Sequence, residues 1–222
     1  MTKIKICGIT KVEEIEYLNN EHVDYAGFVI YKNSKRYITV ERAAAIAESL
    51  NPDIKKVAVC VSPDVELLKE IENGGFDIIQ VHKGLSNAVI DASSIPIWYA
   101  VNALDTGHAA MTMEWIHQLP IRLGTKIEAI VMDAPDFGSG KTFDWHKSKR
   151  LLKAGTLSPP SEDKLFTKKF VLAGGLDAEN VAEGINIFKP DIVDVSSSVE
   201  GESGKDKDKI SAFVNAVRSI EQ

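Results

Sequence analysis

Only two cysteines, Cys7 and Cys60, occur among the 222 residues, too few for a disulfide framework and in keeping with a reducing cytoplasm. No apolar run approaches the roughly 18 residues needed to cross a bilayer, so no membrane role is expected. The N-terminus lacks the continuous apolar region and small-residue cleavage site of a secretory leader. Basic charge is also in deficit. A formal net charge of -6 and a pI near 5.4 argue against a nucleic-acid backbone as partner, which needs a concentrated basic surface. Internal repeats and low-complexity linkers are missing as well, so one domain over residues 1–222 is the expectation. With 44% hydrophobic and 26% charged residues and a mean hydropathy of -0.08, the chain has the composition of a globular protein with one large core.

Short β-rich runs alternate with amphipathic stretches from end to end. Strands are expected at residues 3–7, 24–30, 55–61, 77–82, 96–101, 127–133, 169–173 and 191–195. Helical patterns lie between them, among them Thr39 to Ser49, Asp64 to Asn73, Thr106 to Gln118, Asp144 to Ala154, Asp177 to Phe188 and Asp206 to Ile220, with only a short one within Gly84 to Ser94. Thr10, Thr39, Asp144 and Asp177 stand where capping residues are wanted. Alternating β and α elements imply a parallel sheet with right-handed crossovers. Eight units favour a single closed (β/α)8 TIM barrel, and an open doubly wound sheet is the other topology the pattern allows. The polar stretch Gly155 to Lys168, with Pro159-Pro160, then joins a helix to a strand on the face opposite the active site.

In a barrel the strand ends and the loops that follow converge on one rim. Cys7 ends the first strand just before Gly8, and Lys5 shares its face. A lysine so placed would favour the thiolate; the plain alternative is a small packing residue, as most free cysteines are. Asp133 ends the sixth strand, where a buried carboxyl can protonate a leaving oxygen, or simply form a turn. Strands one and six are nearly opposite in an eight-membered ring, so the two groups would flank one ligand. Gly174 and Gly175 after strand seven, and Ser196 and Ser197 after strand eight, offer backbone and hydroxyl donors to a phosphate. Lys5 and Asp194 should meet inside the barrel as an ion pair, because burying either charge alone is costly.

Arg36 can clamp a carboxylate through its planar fork, or belong to a solvated basic loop. Gln80 and His82 share a face of strand four, with His82 read as a hydrogen-bonded interior residue; no spacing supports a structural zinc site. His22, His108, His117 and His146 carry no clear signal. Gly138-Ser139-Gly140-Lys141-Thr142 ends like a P-loop, but Pro135 occupies the position of the required earlier glycine, which rejects nucleotide hydrolysis. A glycine loop closing over a substrate is the better reading, against a simple surface turn.

KICGIT at residues 5 to 10, GFVIYKNSKRYI at 27 to 38, QVH at 80 to 82, MDAPDFGSGKTFDW at 132 to 145, AGGLDAENV at 173 to 181 and DVSSSVE at 194 to 200, in this order and spacing, resemble phosphoribosylanthranilate isomerase across nearly the whole chain. The resemblance implies an Amadori rearrangement of N-(5-phosphoribosyl)anthranilate in tryptophan biosynthesis, with Cys7 as base and Asp133 as acid. It further implies Arg36 on the anthranilate carboxylate, the Gly174-Gly175 and Ser196-Ser197 loops on the phosphate, and no metal or organic cofactor. The partner implied is this small phosphorylated substrate, in the cytoplasm, with association with other tryptophan-pathway enzymes a further expectation. Lys83 and Ser198 stand where the family usually has glycine, and Val81 where it has leucine. The competing readings are a noncatalytic phosphate-ligand barrel and a related sugar-phosphate isomerase of histidine biosynthesis that uses two aspartates.

Overall fold

Period-two alternation in the apolar runs becomes a ring of parallel strands in the computed structural model, which describes residues 1–102, 118–133 and 168–221. The strands are β1 (Lys3–Cys7), β2 (Tyr25–Val29), β3 (Lys55–Val61), β4 (Ile78–His82), β5 (Ile97–Asn102), β6 (Ile127–Asp133), β7 (Lys169–Leu172) and β8 (Ile192–Val195). They pair in sequence order and close through β1 and β8, which selects the barrel over the open sheet. Between them lie α1 (Glu13–Asn20), α2 (Val40–Ala47), α3 (Val65–Asn73), α4 (Asn87–Ala92), α5 (Ile121–Gly124), α6 (Val181–Phe188) and α7 (Lys207–Arg218). The one-turn α5 has no counterpart among the expected helices. The segments Thr106 to Gln118, Asp144 to Ala154 and Gly155 to Lys168, the Gly138 to Thr142 loop, and His108, His117 and His146 lie wholly or largely outside the described residues.

Alternation sorts the buried residues into two layers. Ile4, Ile6, Ala26, Phe28, Ala58, Ile79, Val101, Ile130 and Val193 face outward and pack with the helices. Tyr25, Val57, Val59, Trp98, Ala100, Ala129, Val131, Val171 and Ile192 fill the interior, where the Tyr25 and Trp98 rings meet edge to face at 4.9 Å. Helix starts follow the expected chemistry at Thr39 and Asp64, whose side chains accept from Arg42 N and Leu67 N, and at Asp206, which accepts from Lys209 N.

Two expected caps are different. Thr10 does not cap α1: the Glu14 carboxylate instead takes the backbone N–H of Thr10 and Lys11 at 2.8 and 3.2 Å. Asp177 lies ahead of α6, where its Oδ1 accepts from Glu179 N and Asn180 N at 2.9 Å and closes a turn before the helix begins at Val181. In both places a carboxylate satisfies the loop amides first, and that shifts the helix start down the chain.

Lys5 and Asp194 are register partners across the β1–β8 seam, both inside the ring, with Nζ 2.6 Å from Oδ2. Lys5 is 0% exposed. Burial alone would lower its pKa, but Asp194 beside it outweighs that and raises it, so the ammonium stays charged. Removing one partner strands the other charge in the barrel. Lys5→Met should therefore cost about 3 to 5 kcal/mol in equilibrium urea unfolding, and Lys5→Met/Asp194→Leu much less; a double variant as unstable as the single would show that the pair itself supplies the stability.

Candidate active site

Cys7 closes β1 at the rim, 8% exposed, opposite its register partner Gly27. A Cβ on Gly27 would lie 2.8 Å from the Cys7 sulfur, so only glycine lets the thiol settle against β2. Gly8 then turns the chain at φ +83°, and a Cβ there would lie 2.4 Å from Arg36 Cδ and 3.2 Å from Ser196 Oγ. Its amide and that of Ile9 both donate to Gly27 O, at 2.8 and 2.9 Å. One missing side chain thus brings the loops after β1, β2 and β8 together.

Arg36 reaches this point because the loop after β2 doubles back. Ser34 N donates to Tyr31 O at 2.9 Å, Arg36 N to Ser34 Oγ at 3.1 Å, and Ile38 N to Val29 O at 3.0 Å. The residue is buried, which excludes the solvated-loop alternative. One edge of its fork is taken by a carboxylate of the chain itself, Glu200: Nε donates to Oε1 and Nη2 to Oε2, the latter at 3.2 Å. Lys35 and Lys205 also donate to Glu200, each at 3.1 Å. Burial would raise the Glu200 carboxyl, but Arg36, Lys205 and Lys35 outweigh it and hold it down at about 2.

Glu200 and Lys205 face each other across a tight hairpin, with Gly201 N donating to Gly204 O at 2.8 Å. Lys205 is buried too, and its Nζ donates to Ser196 O at 2.9 Å. Reading the sequence did not single out either residue as a site residue. Glu200 ends the DVSSSVE motif, and its place in that motif was the one signal available.

The expected phosphate loops flank the same rim. Gly174 and Gly175 take φ values of +84° and +68°, and their backbone N–H groups donate to no described residue. Ser196 differs from expectation in its hydroxyl, which donates to Cys7 O at 2.9 Å and so ties β8 to β1. Ser197 opens a 3-10 turn, Ser197–Val199. Ser198 fits without a glycine's conformation, and its hydroxyl donates to Leu176 O, joining the loops after β7 and β8. Lys83, the other departure from glycine, keeps the left-handed backbone at φ +59°.

Asp133 ends β6, buried, beside Asn102 of β5 in the ladder. On β4, Gln80 Nε2 lies 3.0 Å from His82 Nε2. Burial, then Lys5 and Lys83, lower the His82 pKa to about 3, which makes it a neutral interior imidazole. Cys60 lies in the outer layer, pushed up to about 12 by burial and unreactive.

The Cys7 thiol does not behave as Lys5 alone would suggest. Burial is the largest influence and raises its pKa; Lys5 and Lys205 pull down, and Asp194 pushes up again. The resting group is therefore a thiol. Its alkylation by iodoacetamide should still be accelerating at about pH 8.5, the ordinary thiol midpoint; a plateau below that pH in the free protein would mean a thiolate at rest.

Comparison with known proteins agrees across the chain. A family model described as N-(5'phosphoribosyl)anthranilate (PRA) isomerase matches residues 4–216. A curated relative, N-(5'-phosphoribosyl)anthranilate isomerase of Streptococcus pneumoniae serotype 19F (strain G54), is 36% identical over 219 residues, 98% of this chain and 96% of the relative. Among solved structures, phosphoribosyl anthranilate isomerase from Thermotoga maritima gives a TM-score of 0.80 at 30% identity, covering 99% of this chain and 100% of that one. A phosphoribosyl anthranilate isomerase in complex with reduced 1-(o-carboxyphenylamino)-1-deoxyribulose 5-phosphate gives 0.76 at 26% identity, with coverage of 99% and 100%.

Proposed function

Because the chain belongs to the N-(5'-phosphoribosyl)anthranilate isomerase family, we propose that Cys7 and Asp133 are the base and acid with which it carries out the Amadori rearrangement of tryptophan biosynthesis. The reaction converts N-(5-phosphoribosyl)anthranilate to 1-(2-carboxyphenylamino)-1-deoxyribulose 5-phosphate. The observation that carries the assignment is that β1 and β6 each end at the rim in a buried group able to move a proton, Cys7 and Asp133.

In this mechanism Asp133 gives its proton to the ribose ring oxygen as the bond from that oxygen to C1 breaks and the nitrogen lone pair forms a Schiff base. Cys7, as thiolate, takes the proton from C2. The electron pair of the C2–H bond moves toward the cationic nitrogen and gives an enolamine, which tautomerises to the ketone. The substrate nitrogen is the electron sink, so the step draws on no group beyond the substrate and these side chains.

Arg36 takes the anthranilate carboxylate; its burial over Gly8, the residue after Cys7, supports this. The phosphate lies on the loops of Gly174, Gly175, Ser196 and Ser197. What supports the site is the pair of consecutive left-handed glycines after β7 beside the serine turn after β8. Ser196, whose hydroxyl is engaged with Cys7 O, contributes through its backbone.

The same proposal takes residues 1–222 as one barrel domain, supported by the family match over 4–216. It places the enzyme in the cytoplasm, supported by two unpaired cysteines; no helix among the described residues is long and apolar enough to cross a membrane. Association with other tryptophan-pathway enzymes belongs to it as well, supported by the pathway its substrate and product share.

Loss of fluorescence as freshly generated phosphoribosylanthranilate is consumed tests the reading. Wild type should turn over without added metal, and Cys7→Ala and Asp133→Asn should each lose roughly 10² to 10⁴ in kcat while keeping wild-type circular dichroism. Near-normal turnover in either variant would refute its role.

A further inference from the structure

A single carboxylate, Glu200, accepts from three cations at the rim, Lys35, Arg36 and Lys205. Three positive charges against one negative leave an excess, in a place where Arg36 and Lys205 are both buried. The Arg36 fork is engaged only on its Nε–Nη2 side. Nη1 and the second hydrogen of Nη2, which form the end-on edge of the plane, donate to none of the described residues. A guanidinium has two such edges, each matched to a carboxylate, so one held by Glu200 leaves the other aimed and uncompensated.

From this arrangement we infer that Glu200 is a positioning residue for substrate recognition. It fixes the plane of the Arg36 guanidinium so that the end-on edge meets the ring carboxylate of the anthranilate moiety. The inference rests on the assignment of Arg36 to that carboxylate. An arginine side chain is otherwise long and rotatable, and a carboxylate ligand would have to order it on arrival; Glu200 removes that cost beforehand. Lys205 has a distinct part in the same device. Anchored on Ser196 O at 2.9 Å, it holds the second side of Glu200 Oε1, so that Glu200 does not swing out with Arg36 when a second anion arrives. The location suits the chemistry, because Arg36 Cδ crosses directly over Gly8, the neighbour of Cys7. A bound carboxylate there brings the ribose end of the substrate toward the thiol.

A plain alternative is that Glu200 only ties the β2 and β8 loops together. Two ligands separate the readings: reduced 1-(o-carboxyphenylamino)-1-deoxyribulose 5-phosphate and its counterpart lacking the ring carboxylate, with affinities measured by calorimetry. Glu200→Gln should weaken the carboxylated ligand about 10- to 100-fold, the range for a charge-assisted hydrogen bond. It should change the other ligand by no more than about twofold. Arg36→Lys keeps the charge but breaks the fork, and should show the same pattern; the double variant should be no worse than the poorer single. Equal losses on both ligands, or none, in Glu200→Gln would overturn the inference and leave a loop tie. An Arg36→Lys protein that loses nothing specific to the carboxylate would remove Arg36 from that contact, and this inference with it. Failure of the wild type to bind either ligand would instead overturn the underlying reading of the site.

Discussion

The barrel closes around a charge that has no access to water. Lys5, fully buried on β1, is tolerable only because Asp194 stands opposite it on β8 at 2.6 Å. Closure of the ring creates that partnership, since the two residues are 189 positions apart. The pair also makes the interior near the rim electrostatically neutral at one side of Cys7. A lysine two residues from a cysteine reads, in isolation, as an activating cation. With its counter-ion in place it acts only locally, and the sulfur's own burial decides its resting state.

The other side of Cys7 is charged differently. Lys205 and Arg36 share Glu200 with Lys35, and the sum there stays positive. Two ionic systems therefore bracket one thiol, one balanced and buried, the other in excess and partly buried. The balanced system serves the fold. The excess is available to an incoming anion, and the free edge of Arg36 gives that excess a direction.

Much of this was legible along the chain. Strand positions follow from period-two alternation, and β1, β3 and β6 have the expected ends; Cys7 and Asp133 could be placed at the rim because each ends such a run. The Lys5–Asp194 contact was legible too, since two charges on inward positions of neighbouring strands have no other solution. Helix starts were less so, because a cap depends on which nearby carboxylate reaches the free amides first: Glu14 reaches back from within α1, and Asp177 closes a turn ahead of α6. Glu200 and Lys205 were illegible for a stronger reason. Their meaning lies in contacts with Arg36, 164 positions away, and with Ser196, and neither has a local period or spacing to announce it.

Ser198 shows how such long-range contacts absorb a local departure. Glycine at this turn would serve by leaving space and backbone freedom. Here the backbone needs no left-handed conformation, and the hydroxyl spends itself on Leu176 O. Next to it, Ser196 bonds Cys7 O, and Glu14 gathers the amides of Thr10, Lys11 and Lys205. The rim from the β7 loop through β8 to β1 is thus one bonded arc, and Arg36 joins the β2 loop to it through Glu200. A substitution inside the arc that makes a new bond across it stiffens the frame instead of crowding it. The serine is therefore a feature of how this chain holds the loops after β7 and β8 in register, not a defect in them.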